Sequence, residues 1–198
     1  MASLSMNPDS PVEAASSTAR RAGGLAIVAA IGFVAIVSVL HVLQPGYDLN
    51  SQLMSELALG AHGWAMVVAF FLLATSTVSL AFGIWPMQRA PWVQLSLVVA
   101  AVGFLGAGVF PLGRASELHI WLIAIAFVAI VLAMYLLPRA VPARFGGRAG
   151  LFSWCLAGGT ALSIVLGHSL VPMGVGQRLA AACVVVWLCF AGLRLRGS

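Results

Sequence analysis

Lysine is absent from this chain, and aspartate and glutamate together number five in 198 residues. Charged residues reach only 8%, where a soluble domain carries about 25%. A chain so short of charge cannot clothe a water-facing surface, which excludes a soluble globular class. Its cysteines, Cys155, Cys183 and Cys189, form no CxxC pair, so neither a cysteine-based zinc knuckle nor a thioredoxin-type redox motif is written here, and free thiols packed as small apolar groups are expected. A Walker loop, a GxSxG elbow and an HExxH helix are also missing, which removes the locally encoded forms of nucleotide binding, serine hydrolysis and zinc proteolysis.

What fills the chain is hydrocarbon: 62% of residues are hydrophobic. Runs of about 20 apolar residues match a bilayer core roughly 30 Å thick, and six occur, at Ala22–Leu43, Gly63–Trp85, Trp92–Pro111, Leu118–Leu137, Gly150–Leu170 and Gly174–Leu193. The fold class expected is all-α, a polytopic six-helix membrane bundle. Residues 1–21 read as a disordered cytoplasmic tail, 22–194 as the membrane domain and 195–198 as a short basic C-terminus. The first run is too long for the apolar region of a cleaved signal peptide, about 7–15 residues, and reads as a retained first span.

Arginine sets the orientation. With the N-terminus inside, Arg20, Arg21, Arg89, Arg139, Arg144, Arg148, Arg194 and Arg196 fall on the inner side, and only Arg114 and Arg178 on the outer. That asymmetry predicts an N-in, C-in protein of the plasma (inner) membrane. It also accounts for the net charge of +5 without a nucleic-acid partner. Membrane lipid is the expected contact, with a further copy of the chain or a membrane partner protein as the other candidates. Trp64, Trp85, Trp92, Trp121 and Trp154 lie near span ends, where amphipathic rings settle. Gly103 with Ala107, and Gly158-Gly159, suit close helix packing.

All four histidines and three carboxylates lie on the outer side. In the first outer loop, Pro45-Gly46 stops the first span, and Ser51 is placed to cap a short amphipathic helix carrying Leu53 and Leu57, closed by Gly60 and lying at the interface. Gln52 and Glu56 share one face of it. In the second loop, Ser116 is placed to cap the fourth span, with Glu117 in its first turn and His119 in the next. Arg178 enters the sixth span at a depth where a lone charge costs about 2.5–3.5 kcal/mol at a helix centre, so it should pair with Asp48, Glu56 or Glu117. Arg114 is the other candidate for charge pairing.

Imidazole beside carboxylate is the inventory of a metal site or a general acid and base. The candidate catalytic residues are therefore His119, Glu117, His168, Ser55 and Glu56, and the candidate metal ligands are His119, His168 and Glu117. No local spacing calls for a cofactor. Zinc is the ion such donors would take, whereas haem needs opposed imidazoles at matched depth, which the sequence does not display.

Ser55-Glu56-Leu57, Phe110-Pro111, His119 and Gly176-Gln177-Arg178, taken in order, resemble the pattern of the bacterial and archaeal membrane family called domain of unknown function 998, over roughly residues 22–195. The resemblance implies a six-helix integral membrane protein with these residues on its outer face, and no known activity. Many members carry an acid shortly after Phe-Pro, where this chain has Gly113, so a metal site built on that acid loses support. A more distant similarity to six-helix proteins of the DRAM kind suggests a lipid-related role by fold analogy alone.

Three functions fit these readings. A lipid- or partner-binding envelope protein explains every feature, and expects alanine at His119 and Glu56 to be tolerated. An interfacial metal-dependent hydrolase acting on a lipid or envelope substrate uses His119, His168 and an acid to activate water. A small-solute transporter is the third, though no span carries a charge near its middle.

Overall fold

The computed structural model describes residues 11–86 and 90–197, without the side chains of Pro11, Val12 and His168. The helices are α1 Pro11–Leu43, α2 Trp64–Ile84, α3 Pro91–Val109, α4 Ser116–Ala140, the single turn α5 Pro142–Phe145, α6 Gly147–Ser169 and α7 Met173–Arg196, with a 3-10 turn, η1, at Met54–Leu59. There are no strands among the described residues, and six helices are long and apolar enough to cross a membrane. The chain is a multi-pass membrane protein.

Each spanning helix packs on its chain neighbours, α4 meets α6 past the short α5, and α1 closes on α7, so six helices form a ring in chain order. The thinnest seam of the ring is the one between α4 and α6. Leu80, Ile84, Leu97, Ile130, Met134, Trp187 and Leu188 fill its middle with no solvent exposure, while Trp64, Trp85, Trp92 and Trp121 stand exposed near helix ends. Gly103 does what its spacing suggested: a Cβ there would lie 2.7 Å from the Leu122 carbonyl of α4. Of the Gly158-Gly159 pair, a Cβ on Gly159 would lie 3.1 Å from Cys183 Sγ of α7, while nothing lies within 4 Å of the Gly158 Cβ position. The closest approach of α6 to α7 uses a different pair, Gly167 and Gly176, where a Cβ on Gly176 would meet the Gly167 Cα at 2.5 Å.

Helix limits depart from hydropathy at several ends: α6 begins at Gly147 rather than Gly150 and α7 runs on to Arg196 rather than Leu193, and two further departures bear on the fold. α1 is already helical at Pro11, the first described residue, so 11–21 are helical although read as tail; its 33 described residues make a rod of about 50 Å. α4 runs through Pro138 to Ala140 rather than stopping at Leu137. Proline has no N–H and strips the carbonyl four residues back of its partner. Here that carbonyl, on Met134, accepts from Ser153 Oγ of α6 at 2.7 Å, and Ser153 Oγ in turn accepts from Trp187 Nε1 of α7 at 2.7 Å. A borrowed donor lets the helix continue.

Candidate functional site

The antiparallel order of the helices gathers the ends of α1 and α6 and the starts of α2, α4 and α7 at one end of the bundle, and with them His41, His62, His119 and the backbone of His168. The loop between α1 and α2 folds over this end. Its turn residue Gly46 has φ +84°, a left-handed conformation glycine adopts freely.

The loop helix differs from expectation in its cap and its placement. Ser51 does not cap it: the Ser51 hydroxyl donates to Asp48 Oδ2, and the helix starts after Leu53, whose N–H donates to Glu56 Oε1 at 2.9 Å. Gln52 Nε2 donates to Glu56 Oε2 at 3.2 Å, so Glu56 is spent on holding the turn. Met54, Ser55 and Leu57 are buried, which makes η1 a plug seated between α1, α2 and α7. Ser116 likewise is the first residue of α4 and not its cap; its Oγ accepts from the Gly113 N–H at 3.0 Å.

Arg178 fastens this plug, and not through a carboxylate. Its Nη1 donates to the carbonyls of Gln52 at 2.9 Å and Gly174 at 2.8 Å, and its Nη2 donates to His41 Nε2 at 3.1 Å and to the Tyr47 hydroxyl. His41 Nδ1 lies 2.6 Å from the Val37 carbonyl; a carbonyl only accepts, so the hydrogen sits on Nδ1 and Nε2 is free to receive from the guanidinium. The Tyr47 hydroxyl passes its own hydrogen to the Leu53 carbonyl, 2.7 Å away. Burial pushes the Tyr47 phenol above its ordinary range, against the lowering pull of Arg178, which keeps that hydrogen in place. Gly174 carries the loop directly on α7: a Cβ there would lie 2.5 Å from the Gln52 carbonyl. Gln177 completes the seat by accepting the Met54 N–H on Oε1 at 2.6 Å.

His119 has a second, separate task. α3 ends at Val109 and Phe110 is already out of helical conformation, which leaves the Ala107 carbonyl without a partner in its own helix, and His119 Nδ1 supplies a donor, 3.0 Å from Ala107 O and 3.1 Å from Phe110 O. The ring packs edge-on against Phe70 of α2, with centroids 5.5 Å apart, and the residue is 2% exposed. With its hydrogen committed on Nδ1, Nε2 is a lone-pair acceptor, and it is buried without a partner.

Beside His119 lies a cavity of about 460 Å³, walled by α4, α6, α7 and η1. Its polar wall is Ser55, His119 and Gln177, and its apolar wall runs down Ile120, Ile123, Phe127 and Val128 of α4 to face Ile164 of α6 and Ala180 of α7. Ile120, Val128 and Met173 on its rim are exposed on the bundle surface, so it opens sideways through the α4–α6 seam.

Of the residues singled out in the sequence, Ser55 and His119 therefore meet in one cavity, while Glu56 and Arg178 belong to the adjoining seat of η1. Glu117 and Arg114 are exposed and make no side-chain hydrogen bond among the described residues. The His168 side chain lies outside the described residues, so the set His119, His168 and Glu117 is not seen assembled. Among the described residues no three His, Cys, Asp or Glu side chains stand close enough to hold a metal ion. Cys155, Cys183 and Cys189 are free, but Cys155 is exposed on the bundle surface and the other two are half-buried rather than packed fully inside as expected. No spacing in the sequence pointed to Tyr47 or His41 as partners of Arg178, since the three are joined only by the folded loop.

A family model described as a protein of unknown function (DUF998) matches residues 27–194. The chain belongs to the DUF998 family. No curated protein and no solved structure matches it. In this DUF998 chain the residues that carried the resemblance are one connected set: α3 ends just before Phe110-Pro111 and His119 takes up the carbonyls left open there, Gln177 and Arg178 hold the segment bearing Ser55 and Glu56, and Gly176 lets α6 close on α7 beneath them.

Proposed function

We propose that this protein binds a membrane amphiphile in the cavity between α4, α6 and α7, at the extracytoplasmic end of an N-in, C-in bundle. The observation that carries the reading is one cavity with two unlike parts, a polar end under η1 and an apolar wall along α4. From His119 to Val128 that wall is about 13 Å long at 1.5 Å per residue. A volume of about 460 Å³ lies within the range of small-molecule sites, about 300–1,000 Å³. The sideways opening suits a ligand that arrives from the bilayer. The side assignment rests on the arginines: Arg20, Arg21, Arg139, Arg144, Arg148, Arg194 and Arg196 gather at the opposite end of the helices, which the positive-inside rule places in the cytoplasm.

Lipid analysis of protein purified in a mild detergent tests the reading. A single-chain or slender amphiphile should copurify near one per chain, and Ala124→Phe, which fills the cavity from α4, should remove it while leaving thermal unfolding unchanged. A lipid complement identical in the two proteins would defeat the proposal.

A second reading, hydrolysis of an ester held in the same cavity, is favoured by Ser55 and His119 sharing its wall. Turnover of a fluorogenic lipid ester that Ser55→Ala leaves intact would remove Ser55 from that role.

A further inference from the structure

We infer that the head group this cavity takes is neutral and bears a hydroxyl, as in a monoacylglycerol, and is not a phosphate. The inference rests on the amphiphile-binding reading above and adds the chemistry of the head group. It follows from which polar atoms the fold leaves unspent. His119 has committed its hydrogen to the carbonyls of Ala107 and Phe110, so the ring nitrogen that remains, Nε2, only accepts. Gln177 has committed its carbonyl oxygen to the Met54 N–H, so what remains is an amide NH₂ that only donates. The hydroxyl of Ser55, a residue 3% exposed and lining the cavity, makes no hydrogen bond to the protein among the described residues and serves in either sense.

The polar end thus offers one acceptor, one donor and one hydroxyl. A ligand hydroxyl is matched to that set: it donates to His119 Nε2, supplying the bond the fold leaves unmade, and accepts from Gln177 or Ser55. A second hydroxyl or an ester carbonyl uses the remaining partner. A phosphate fits badly. The described lining holds no cation, and an anion at low dielectric needs a paired charge. Arg178 is not part of the lining, and its two terminal nitrogens are already bound to two carbonyls, a phenol and an imidazole. Arg114 is exposed and also outside it. The lone pair of Nε2 would itself repel an anionic oxygen.

The test uses full-length protein in nanodiscs with two photoreactive probes sharing one acyl chain, a monoacylglycerol and a lysophosphatidate. The monoacylglycerol should label peptides of α4 and α7, unlabelled monoacylglycerol should compete, and lysophosphatidate should not. Ser55→Ala, which breaks no contact within the protein, should weaken labelling about two- to tenfold, the worth of one neutral hydrogen bond. His119→Phe should weaken it at least as much, with circular dichroism confirming the fold. Equal competition by lysophosphatidate, or full labelling of Ser55→Ala, would overturn the head-group inference and leave the cavity as an amphiphile site. Absence of labelling on α4 and α7 by either probe would overturn both.

Discussion

A proline in a membrane helix leaves one carbonyl without a hydrogen, and in hydrocarbon no water repairs the loss. This protein supplies the missing hydrogen from another helix at Pro138, where Ser153 serves the Met134 carbonyl, and His119 does the same for the Ala107 and Phe110 carbonyls left open where α3 ends. Alanine at His119, which the sequence reading of a binding protein expected to be tolerated, should on this geometry be costly. His119→Phe should destabilise by about 1–2 kcal/mol in reversible unfolding from mixed micelles. Unfolding of His119→Phe at the wild-type midpoint would show that the Ala107 and Phe110 carbonyls do not depend on the His119 hydrogen. Arg178→Lys should also destabilise, by about 1.5–3 kcal/mol, because an ammonium cannot span the two carbonyls, the imidazole and the phenol that the planar guanidinium reaches together. Unfolding of the lysine variant at the wild-type midpoint would contradict that account. The order of Phe-Pro, His and Gln-Arg was visible in the sequence. The pairing of each with its vacancy was not, since it depends on contacts from residue 107 to 119 and from 52 to 178.

At the scale of elements, hydropathy located all six spans, because twenty apolar residues in a row have few other uses. It misjudged ends wherever a polar interaction overrode composition, as at Pro138, where Ser153 carries the helix onward. The loop segment at 54–59 was legible as a helix from Leu53, Leu57 and Gly60. Its burial was not, for an amphipathic turn over lipid and a plug in a bundle share one pattern. The loop ahead of it has its own titration. Asp48, fully exposed, is held below the usual carboxylate range first by the Ser51 hydroxyl and then by the Asn50 N–H. A carboxylate lowered in the fold contributes stability above its unfolded value of 3.8, and that contribution fades as pH falls through the lower folded value. Hydrogen exchange at the Asn50 amide, normalised for intrinsic rate, should thus be protected at pH 6 and lose protection below pH 4, about the unfolded carboxylate pKa. In Asp48→Asn the protection should be independent of pH over that interval, and a retained pH step would assign it to another group.

For the molecule as a whole, the two ends differ in kind. One holds the arginines, with Arg139 stacked 3.9 Å above the Tyr135 ring and Arg194 Nε donating to the Arg144 carbonyl at 2.8 Å. The other holds the loop, the plug and the cavity. Topology follows if the arginine end stays in the cytoplasm. A membrane-impermeant maleimide applied to intact cells should modify His62→Cys and spare Gly197→Cys, with both modified after lysis and the cysteines of the parent chain as the background control. The reverse pattern would invert the bundle and move the cavity to the cytoplasmic leaflet.

The Ser153 bond also orders events in time. His119 draws on α3, which the ribosome has already delivered when α4 emerges, so that vacancy closes as the α3–α4 hairpin forms. The vacancy at Met134 is different, because its donor arrives only with α6, and the tryptophan that anchors the donor only with α7. Until then α4 is a segment with an unfinished backbone. Biogenesis of the second half of this protein is thereby a single commitment, in which the fourth span reaches its final state only when the last has been made.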